Sequence, residues 1–226
     1  MTTTLITGAN KGLGLETARR LIEAGHTVYA GMRDPDNGDA ARALGARVVA
    51  LDVTDQASVE AAIAQVPELD VLVNNAGVQG PLLDVDDVTA DDMDTVLQTN
   101  VVAVVRVTKA ALPLLRRSAN PVIVNVASGA GWPRYLHDPD ADEFPFASIQ
   151  YPASKAAVIT LTVQYAKNLP GMRVNASDPG YTATDMTGHT GHQTVTEGTD
   201  ATVTLALLDQ HGPTGEFHDR RGRIDY

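Results

Sequence analysis

The feature that most constrains the fold is the regular alternation of short apolar runs with longer helical segments. Apolar runs at residues 3–7, 26–31, 47–51, 70–74, 121–126 and 173–178 are separated by segments with helical patterning. Such alternation is typical of βαβ units, which build a parallel sheet covered by helices on both faces. With 226 residues, the chain has the length of one α/β domain and is short for two. The sequence therefore predicts a single-domain, Rossmann-type doubly wound α/β fold.

Helices are predicted at residues 13–24, 56–65, 91–115, 151–169 and 197–208. Thr89 is the expected N-cap of the long third helix, because threonine side chains cap helices and acidic residues follow it. No internal repeat, linker or low-complexity segment interrupts the pattern.

Charge and composition narrow the classes of function. The net charge of −11 argues against a nucleic-acid partner, which would require a basic face. No apolar run approaches the roughly 20 residues of a membrane span. Residues 1–6 have the pattern of a strand rather than of a signal peptide, and the chain contains no cysteine. These observations predict a cytoplasmic protein without disulfides or thiolate chemistry.

A glycine-rich loop follows the first apolar run directly. Its spacing is Gly8-x-x-x-Gly12-x-Gly14, which differs from the usual Gly-x-Gly-x-x-Gly dinucleotide fingerprint. Glycines between a strand and a helix let the backbone approach a ligand, and the amides of the helix N-terminus attract a pyrophosphate. A purely structural turn is the alternative, but the position after the first strand favours a dinucleotide site.

The end of the second strand suggests which dinucleotide binds. An acidic residue at this position pairs with the ribose 2′-hydroxyl of NAD, whereas a basic residue accommodates the 2′-phosphate of NADP. Arg33 occupies the position here, and Lys11 in the glycine loop adds a second cation. Asp34 leaves an alternative open, because it can pair with Arg33 instead. NADP(H) is therefore the preferred cofactor, with NAD(H) possible.

Tyr151 and Lys155 are four residues apart in a predicted helix and so share one face. A cation beside a phenol favours the phenolate and makes the phenol a usable general acid or base. A tyrosine and a lysine on an ordinary solvated helix are the alternative for this pair alone. Asn74-Asn75-Ala76-Gly77 ends the fourth strand, at the edge of the sheet where doubly wound folds bind ligands.

Taken in order, Thr7-Gly-x-x-x-Gly-x-Gly, Asn-Asn-Ala-Gly and Tyr-x-x-x-Lys resemble the classical short-chain dehydrogenase/reductase family along essentially the whole chain. The resemblance implies an NAD(P)-dependent oxidoreductase that transfers hydride between the nicotinamide C4 and a carbonyl carbon. It implies that Ser128 binds the carbonyl oxygen and that Tyr151 donates the proton. Lys155 would bind the nicotinamide ribose and lower the pKa of Tyr151, and Asn100 would hold a water of the proton relay.

The family motifs also imply an adenine contact at Asp52 and Val53, and a nicotinamide contact in the segment that begins at Asp178. The predicted cofactor site is then Gly8, Asn10, Lys11, Gly12, Leu13, Gly14, Arg33, Asp52, Val53, Asn74, Ala76, Gly77, Tyr151, Lys155, Pro179, Gly180, Thr182 and Thr184. The predicted substrate-binding residues are Ser128, Trp132, Tyr135, Tyr151 and Tyr181.

The chain is similar to the carbonyl reductase branch, which prefers NADPH, in its glycine-loop lysine, in Arg33 and in its long segment before Tyr151. Aromatic residues in segment 132–150 form either a substrate wall or a hydrophobic plug that anchors the loop; they are Trp132, Tyr135, Phe144 and Phe146. Segment 186–196 lies where the family has its mobile substrate lid. Monomers and homo-oligomers both remain open.

Metal binding is not expected. The acidic run 138–143 begins like a calcium loop but lacks the glycine and the glutamate that such a loop requires. His189 and His192 lie in a Gly/Thr-rich stretch without a carboxylate among their neighbours in sequence. The sequence therefore predicts an NADPH-dependent reductase of ketones or aldehydes. An NAD(P)⁺-dependent alcohol dehydrogenase and a non-catalytic NADP-binding sensor are the alternatives.

Overall fold

A computed structural model of the chain describes residues 1–143 and 145–225. One sheet runs through it, with strand order β3-β2-β1-β4-β5-β6-β7-β8. All neighbouring strands are parallel except β7 and β8, which form an antiparallel hairpin. The strands are β1 Thr3–Thr7, β2 Thr27–Met32, β3 Arg47–Ala50, β4 Val71–Asn74, β5 Val122–Val126, β6 Arg173–Ser177, β7 Phe217–Asp219 and β8 Gly222–Ile224.

The α-helices are α1 Gly12–Glu23, α2 Asp39–Ala43, α3 Gln56–Ala64, α4 Ala90–Leu97, α5 Ala103–Leu115, α6 Pro133–His137, α7 Gln150–Asn168, α8 Val195–Gly198 and α9 Asp200–Ala206. A π-helical turn, Gln98–Val102, joins α4 to α5. Short 3₁₀ turns include Pro35–Gly38, Gly129–Gly131 and Asp185–Thr187. No helix in the described part of the chain is both long enough and apolar enough to cross a membrane.

Alternate residues of the central strands supply two separate cores. Leu5 and Leu72 pack with α3 and α5 on one face, whereas Ile6 and Val73 pack with α1 and α9 on the other. Because successive side chains of a strand point to opposite faces, strands buried on both sides are apolar throughout. This explains why the sequence showed continuous apolar runs rather than alternation, and the predicted doubly wound fold is confirmed.

The sheet has a reversal of strand order at its centre. β1 pairs with both β2 and β4, so the chain leaves one half of the sheet after β3 and starts the other at β4. Ligands of open α/β sheets bind outside the carboxyl ends of the strands at such a point. The glycine loop and the Asn74–Gly77 motif both follow strands that end there.

Three parts of the fold depart from the predictions. The helix predicted at 91–115 is divided by the π-helical turn, although its cap at Thr89 is confirmed. The helix predicted at 197–208 is two short helices, α8 and α9. The hairpin β7–β8, the short α2 and the short α6 had no counterpart in the sequence-based prediction.

Candidate active site

A cleft of about 630 Å³ lies at the carboxyl ends of β1, β2 and β4. It brings together most of the predicted cofactor residues, namely Gly8, Asn10, Lys11, Gly12, Leu13, Gly14, Arg33, Asp52, Val53, Ala76, Gly77 and Thr184. The prediction missed other lining residues, among them Asn37, Thr54, Asn75, Thr99 and Asp185. The residues of the glycine loop therefore do face one cleft.

The glycine loop has the geometry that a bound pyrophosphate requires. Gly8 and Gly12 have positive φ angles of 65° and 54°, which favour glycine. A Cβ on Gly14 would lie 2.3 Å from the Gly8 carbonyl oxygen and 2.5 Å from Asn75 Nδ2, so only glycine allows α1 to pack this closely. Lys11, at the N-cap of α1, makes no side-chain capping hydrogen bond. The first amides of α1 are thus available to an anion, and the residues present fit a dinucleotide.

Thr7 and Asn75 fasten the end of β1 to the end of β4. The Thr7 hydroxyl accepts hydrogen bonds from the backbone amides of Asn75 and Ala76, at 3.0 and 2.9 Å. Asn75 Nδ2 in return donates to the Thr7 carbonyl at 2.8 Å. Asn74, which was predicted to bind cofactor, lies differently: its buried Nδ2 donates to Asn125 Oδ1 at 2.8 Å, inside the sheet. Its side chain therefore connects strands, and Asn75 is the asparagine that lines the cleft.

The adenosine end of the cleft contains Arg33 and Asp34. Asp34 caps the turn Pro35–Gly38, where its carboxylate accepts hydrogen bonds from the Asp36 amide at 3.0 Å and from Asn37 Nδ2 at 2.7 Å. Within the described residues Arg33 forms no ion pair. Among the described residues, Asp34 and Arg33 therefore form no direct ion pair, in contrast to the alternative that the sequence left open.

Lys11 reaches across the cleft rather than towards Arg33. Its ammonium forms an ion pair of 2.6 Å with Asp185, in the turn that follows Thr184. The ammonium holds the pKa of the Asp185 carboxyl below its usual value. Asp185 also contacts His189 Nε2 at 3.0 Å. The glycine loop and the segment after β6 are thus linked over the cofactor cleft.

Ser128, Tyr151 and Lys155 meet beside the cleft. The Ser128 hydroxyl accepts a hydrogen bond from the Ala130 amide at 3.2 Å, and its side chain also interacts with the Tyr151 phenol and opposes the rise in the phenol's pKa. Lys155 Nζ lies 5.7 Å from the centre of the Tyr151 ring and donates to the Val126 carbonyl at 2.8 Å. A Cβ on Gly77, in the cleft wall, would lie 3.4 Å from Lys155 Nζ, so the ammonium borders the cofactor cleft.

Burial moves the pKa values of the two reactive groups in opposite directions. It raises the pKa of the Tyr151 phenol to about 12, although the hydrogen bond with Ser128 opposes the change. It lowers the pKa of the Lys155 ammonium to about 8. The resemblance implied that Lys155 lowers the pKa of Tyr151; in this structure burial of the phenol and the charge of Asp178 raise that pKa. At neutral pH both groups are protonated, which is the state that can donate a proton.

Asn100 connects the cleft wall to the catalytic helix. It is 1% exposed and lies in the π-helical turn. Its Oδ1 accepts from the Val78 amide at 2.8 Å, and its Nδ2 donates to the Val78 carbonyl at 2.8 Å and to Ser154 Oγ at 2.9 Å. The Ser154 hydroxyl in turn donates to the Tyr151 carbonyl at 2.7 Å. Asn100 is therefore placed to position the loop after β4 against α7.

The remaining predicted cofactor residues lie in the segment after β6. Thr184 lines the cofactor cleft, whereas Pro179 and Gly180 line a second cavity of about 810 Å³. Thr182 is buried, and its hydroxyl donates to the Pro179 carbonyl at 2.9 Å. In this structure Thr182 thus shapes the turn, and Thr184 is the residue of the segment that faces the cleft.

The aromatic residues of segment 132–150 divide into two groups. Trp132 and Tyr135 pack against the buried cluster that contains Phe217 and Ile224, which supports the plug interpretation for these two. Phe146 makes an edge-on contact with the Tyr151 ring, with 5.9 Å between ring centres, which supports a wall beside the reactive phenol. Phe144 lies outside the described residues.

Tyr181 lies in the segment after β6 and contacts segment 186–196. It is 40% exposed, and its hydroxyl is 2.5 Å from Thr190 Oγ1 in segment 186–196. The same segment reaches the loop before α7 through His192, whose Nε2 lies 3.5 Å from Asp142 Oδ2. Among the described residues no three potential ligands are grouped as a metal site.

A model of the short chain dehydrogenase family matches residues 2–194 of the chain. The chain belongs to the short-chain dehydrogenase/reductase family. It is an oxidoreductase of the type that acts on alcohol and carbonyl groups with a nicotinamide dinucleotide. The order of the three sequence motifs had indicated this family, and the prediction is confirmed.

Several relatives of this short-chain dehydrogenase/reductase match almost end to end. (−)-Isopiperitenone reductase of Mentha piperita is 32% identical over 96% of this chain and 95% of its own length. Short-chain dehydrogenase/reductase 1 of Saponaria officinalis is also 32% identical, over 96% of this chain and 93% of its own. The structure of NADPH-bound carbonyl reductase from chicken fatty liver superposes with a TM-score of 0.88 at 30% identity, over 100% of this chain and 98% of that one.

Proposed function

We propose that this short-chain dehydrogenase/reductase is an NADPH-dependent reductase of ketones and aldehydes of moderate size and partly apolar character. The arrangement of Ser128, Tyr151 and Lys155 carries the proposal, because it places a protonated phenol and an ammonium beside the cofactor cleft. Similarity to an NADPH-bound carbonyl reductase supports the same reaction.

When bound, the nicotinamide supplies the hydride that reduces the carbonyl carbon. The Ser128 hydroxyl and the Tyr151 phenol donate hydrogen bonds to the carbonyl oxygen, whose negative charge grows as the hydride arrives. The Tyr151 O–H gives its proton to that oxygen, so the product is an alcohol. The Lys155 ammonium, close to the phenolate that remains, stabilises its charge.

The preference for NADPH rests on Arg33. Its guanidinium has no ion pair in the described part of the chain, lies at the cleft, and matches the geometry of a phosphate. The neighbouring carboxylate of Asp34 is engaged in capping the turn Pro35–Gly38.

Oxidation of alcohols by NAD(P)⁺ is the second candidate. A relative named (+)-neomenthol dehydrogenase from Capsicum annuum, 28% identical over 96% of this chain, supports it. The high pKa of Tyr151 disfavours this direction at neutral pH, because oxidation requires the phenolate as a base. A sensor that binds NADP without turnover is less well supported, since Asn100, Ser128, Tyr151 and Lys155 are all in place.

The test is the loss of reduced-nicotinamide absorbance with a panel of ketones and aldehydes, run with NADPH and with NADH. We expect consumption that favours NADPH and that is lost in Tyr151→Phe, while the variant still binds NADPH. Equal or faster reaction with NADH contradicts the cofactor assignment. Tight NADPH binding without turnover of any carbonyl or alcohol identifies a sensor instead.

A further inference from the structure

Two neighbouring carboxyl groups, the buried Asp178 and the partly buried Glu143, lie next to the catalytic residues and have no role in the reaction above. Asp178, at the end of β6, is 5% exposed and accepts hydrogen bonds from the amides of Gly129 and Gly180, the latter at 2.9 Å. A Cβ on Gly129 would lie 2.8 Å from Asp178 Oδ2 and 2.2 Å from Glu143 Oε1. Both carboxyl groups therefore pack on the same side of Gly129.

Two carboxylates this close disfavour each other's charge, and burial adds to the effect. Burial and the charge of Asp178 raise the pKa of Glu143 to about 7, and burial likewise raises the pKa of Asp178. Protonation of Glu143 below its raised pKa relieves this repulsion. The hydrogen bonds from two amides favour the charged form on Asp178, so the negative charge resides mainly there.

One short turn joins this pair to the catalytic residues. Ser128, just before Gly129–Gly131, interacts with Tyr151, while Gly129 contacts both carboxyl groups. A Cβ on Gly131 would lie 2.8 Å from Lys155 Cβ, so α7 packs directly on the other end of the turn. Lys155 Nζ donates to the Val126 carbonyl, and Val126 pairs with Ser177, the residue before Asp178, so the fold brings Asp178 close to the ammonium. The charge of Asp178 raises the pKa of Lys155 and of Tyr151.

We propose that Asp178 is a positioning residue for proton transfer: its buried negative charge, next to Glu143, keeps the Lys155 ammonium and the Tyr151 phenol protonated, and so sets the upper pH limit of carbonyl reduction. The proposal rests on the proposed function for its consequence in catalysis, but the interaction between Asp178 and Lys155 exists without turnover. It also assigns a purpose to the segment before α7, which supplies Glu143.

Other titratable groups face the pair from every side. Asp219, at the end of β7, and Asp142, next to Glu143, add negative charge to it. Burial raises the pKa of Tyr135 in α6, and the negative charges of Asp219, Asp178 and Glu143 raise it further. The cavity beyond the pair is also lined by His192, Glu197, Arg220 and Arg221. Of the groups in this region, the buried Lys155 and the partly buried Tyr151 are the ones with a role in proton transfer.

NMR titration of the lysine side chains tests the proposal without any substrate. The chain has lysines only at positions 11, 109, 155 and 167, so ¹³C-lysine labelling gives a simple spectrum. The Lys155→Arg variant identifies the signal of Lys155. We expect Asp178→Asn to lower the pH midpoint of Lys155 by about 1. Glu143→Gln, which leaves Asp178 its charge, should keep that midpoint above the value in Asp178→Asn.

Asp219→Asn is the matched control, because it removes a carboxylate from the same cavity that does not act on Lys155 or Tyr151. It should change the Lys155 midpoint less than Asp178→Asn does, because Asp219 acts on Asp178 and not directly on Lys155. An unchanged midpoint in folded Asp178→Asn overturns the proposal. If Asp178→Asn does not fold, the decision passes to Glu143→Gln, in which Asp178 keeps its charge without a competing carboxyl group. A Lys155 midpoint that is kept or raised supports the proposal, and a lowered midpoint overturns it, because Glu143 would then supply the charge.

The pH profile of reduction supplies the second measurement. The basic limb of kcat/KM should move to lower pH in Asp178→Asn, with about a tenfold lower rate above the limb for each pH unit moved. Absence of turnover in the wild-type protein would defeat the proposed function alone, since the lysine titration would still decide the role of Asp178. A shifted Lys155 midpoint with an unshifted limb would overturn the part of the proposal that concerns catalysis.

Discussion

Arg33 and Asp34 are adjacent residues of opposite charge that do not pair with each other. The carboxylate of Asp34 is occupied by the turn that it caps, which leaves the guanidinium of Arg33 to the cleft. The sequence placed Arg33 at the correct point but left this pairing open. The signal was present in Asp34-Pro35, because an aspartate before a proline at the first helical position is a typical N-cap.

Replacing Arg33 with aspartate should reverse the cofactor preference. The variant loses a charged hydrogen-bond donor to the 2′-phosphate and gains repulsion, so binding of NADPH should weaken by at least about 1.5–3 kcal/mol, roughly 10- to 100-fold. Dissociation constants for NADPH and NADH from fluorescence titration measure the change. Arg42→Asp makes the same change in net charge at an exposed site paired with Asp39, and should alter both constants little. Equal loss of both cofactors in Arg33→Asp would contradict a phosphate contact.

That Tyr151 and Lys155 lie on one face of a helix was predictable from their spacing, whereas Ser128 was assigned only by the resemblance to the family. The pKa of Tyr151 was not predictable, because it depends on how completely folding removes water from the phenol. Asn74 and Asn75 show the same limit. Two identical neighbours point to opposite faces of the sheet, and only the register decides which of them faces the cleft.

At the scale of the element, the π-helical turn is the feature that places Asn100. The sequence predicted an unbroken helix, because α-helical and π-helical turns use the same residue types and differ only in hydrogen-bond register. The choice between them is tertiary: the widened turn brings the Asn100 amide to both backbone groups of Val78 and to Ser154. π-helical turns inside α-helices are frequently found at functional sites.

Asn100→Ala should therefore cost more than the loss of one side chain. It leaves the Val78 amide and carbonyl and the Ser154 hydroxyl without their partner, which should destabilise the fold by about 1–3 kcal/mol and lower kcat. Ser154→Ala removes one of these contacts and should have a smaller effect on both quantities. Urea denaturation and steady-state kinetics of the two variants give the comparison. Equal losses in the two variants would show that the contacts to Val78 contribute little.

At the scale of the whole molecule, the sheet is completed by residues that showed no clear strand pattern. β7 and β8 are three residues each, and their hairpin contains charged residues and Gly222. Burial of one side chain stabilises the hairpin in this position. Phe217 is fully buried and packs with Val158, Ile159 and Ala176 on the α7 side of β6. The six long parallel strands were predictable from their apolar runs, whereas this hairpin depends on a pocket that the rest of the chain creates.

Phe217→Ala should destabilise the protein strongly. Removal of a fully buried aromatic side chain from a packed cluster costs about 3–5 kcal/mol, since the cavity left behind does not collapse completely. Thermal and urea unfolding measure the loss. Leu82→Ala is the control, because Leu82 is 64% exposed and its replacement should change stability by no more than about 0.5 kcal/mol. A small effect of Phe217→Ala would mean that the hairpin is not part of the cooperative unit.

The ion pair between Lys11 and Asp185 has a consequence for how long a nucleotide stays bound. It joins residues 174 positions apart, one in the glycine loop and one in the turn after Thr184, and both side chains are more than half exposed to solvent. Dissolved ions screen such an exposed ion pair, so the glycine loop and the turn after Thr184 separate more readily as the ionic strength rises. We therefore expect the residence time of a bound nucleotide to fall as the ionic strength rises, whatever the speed of hydride transfer.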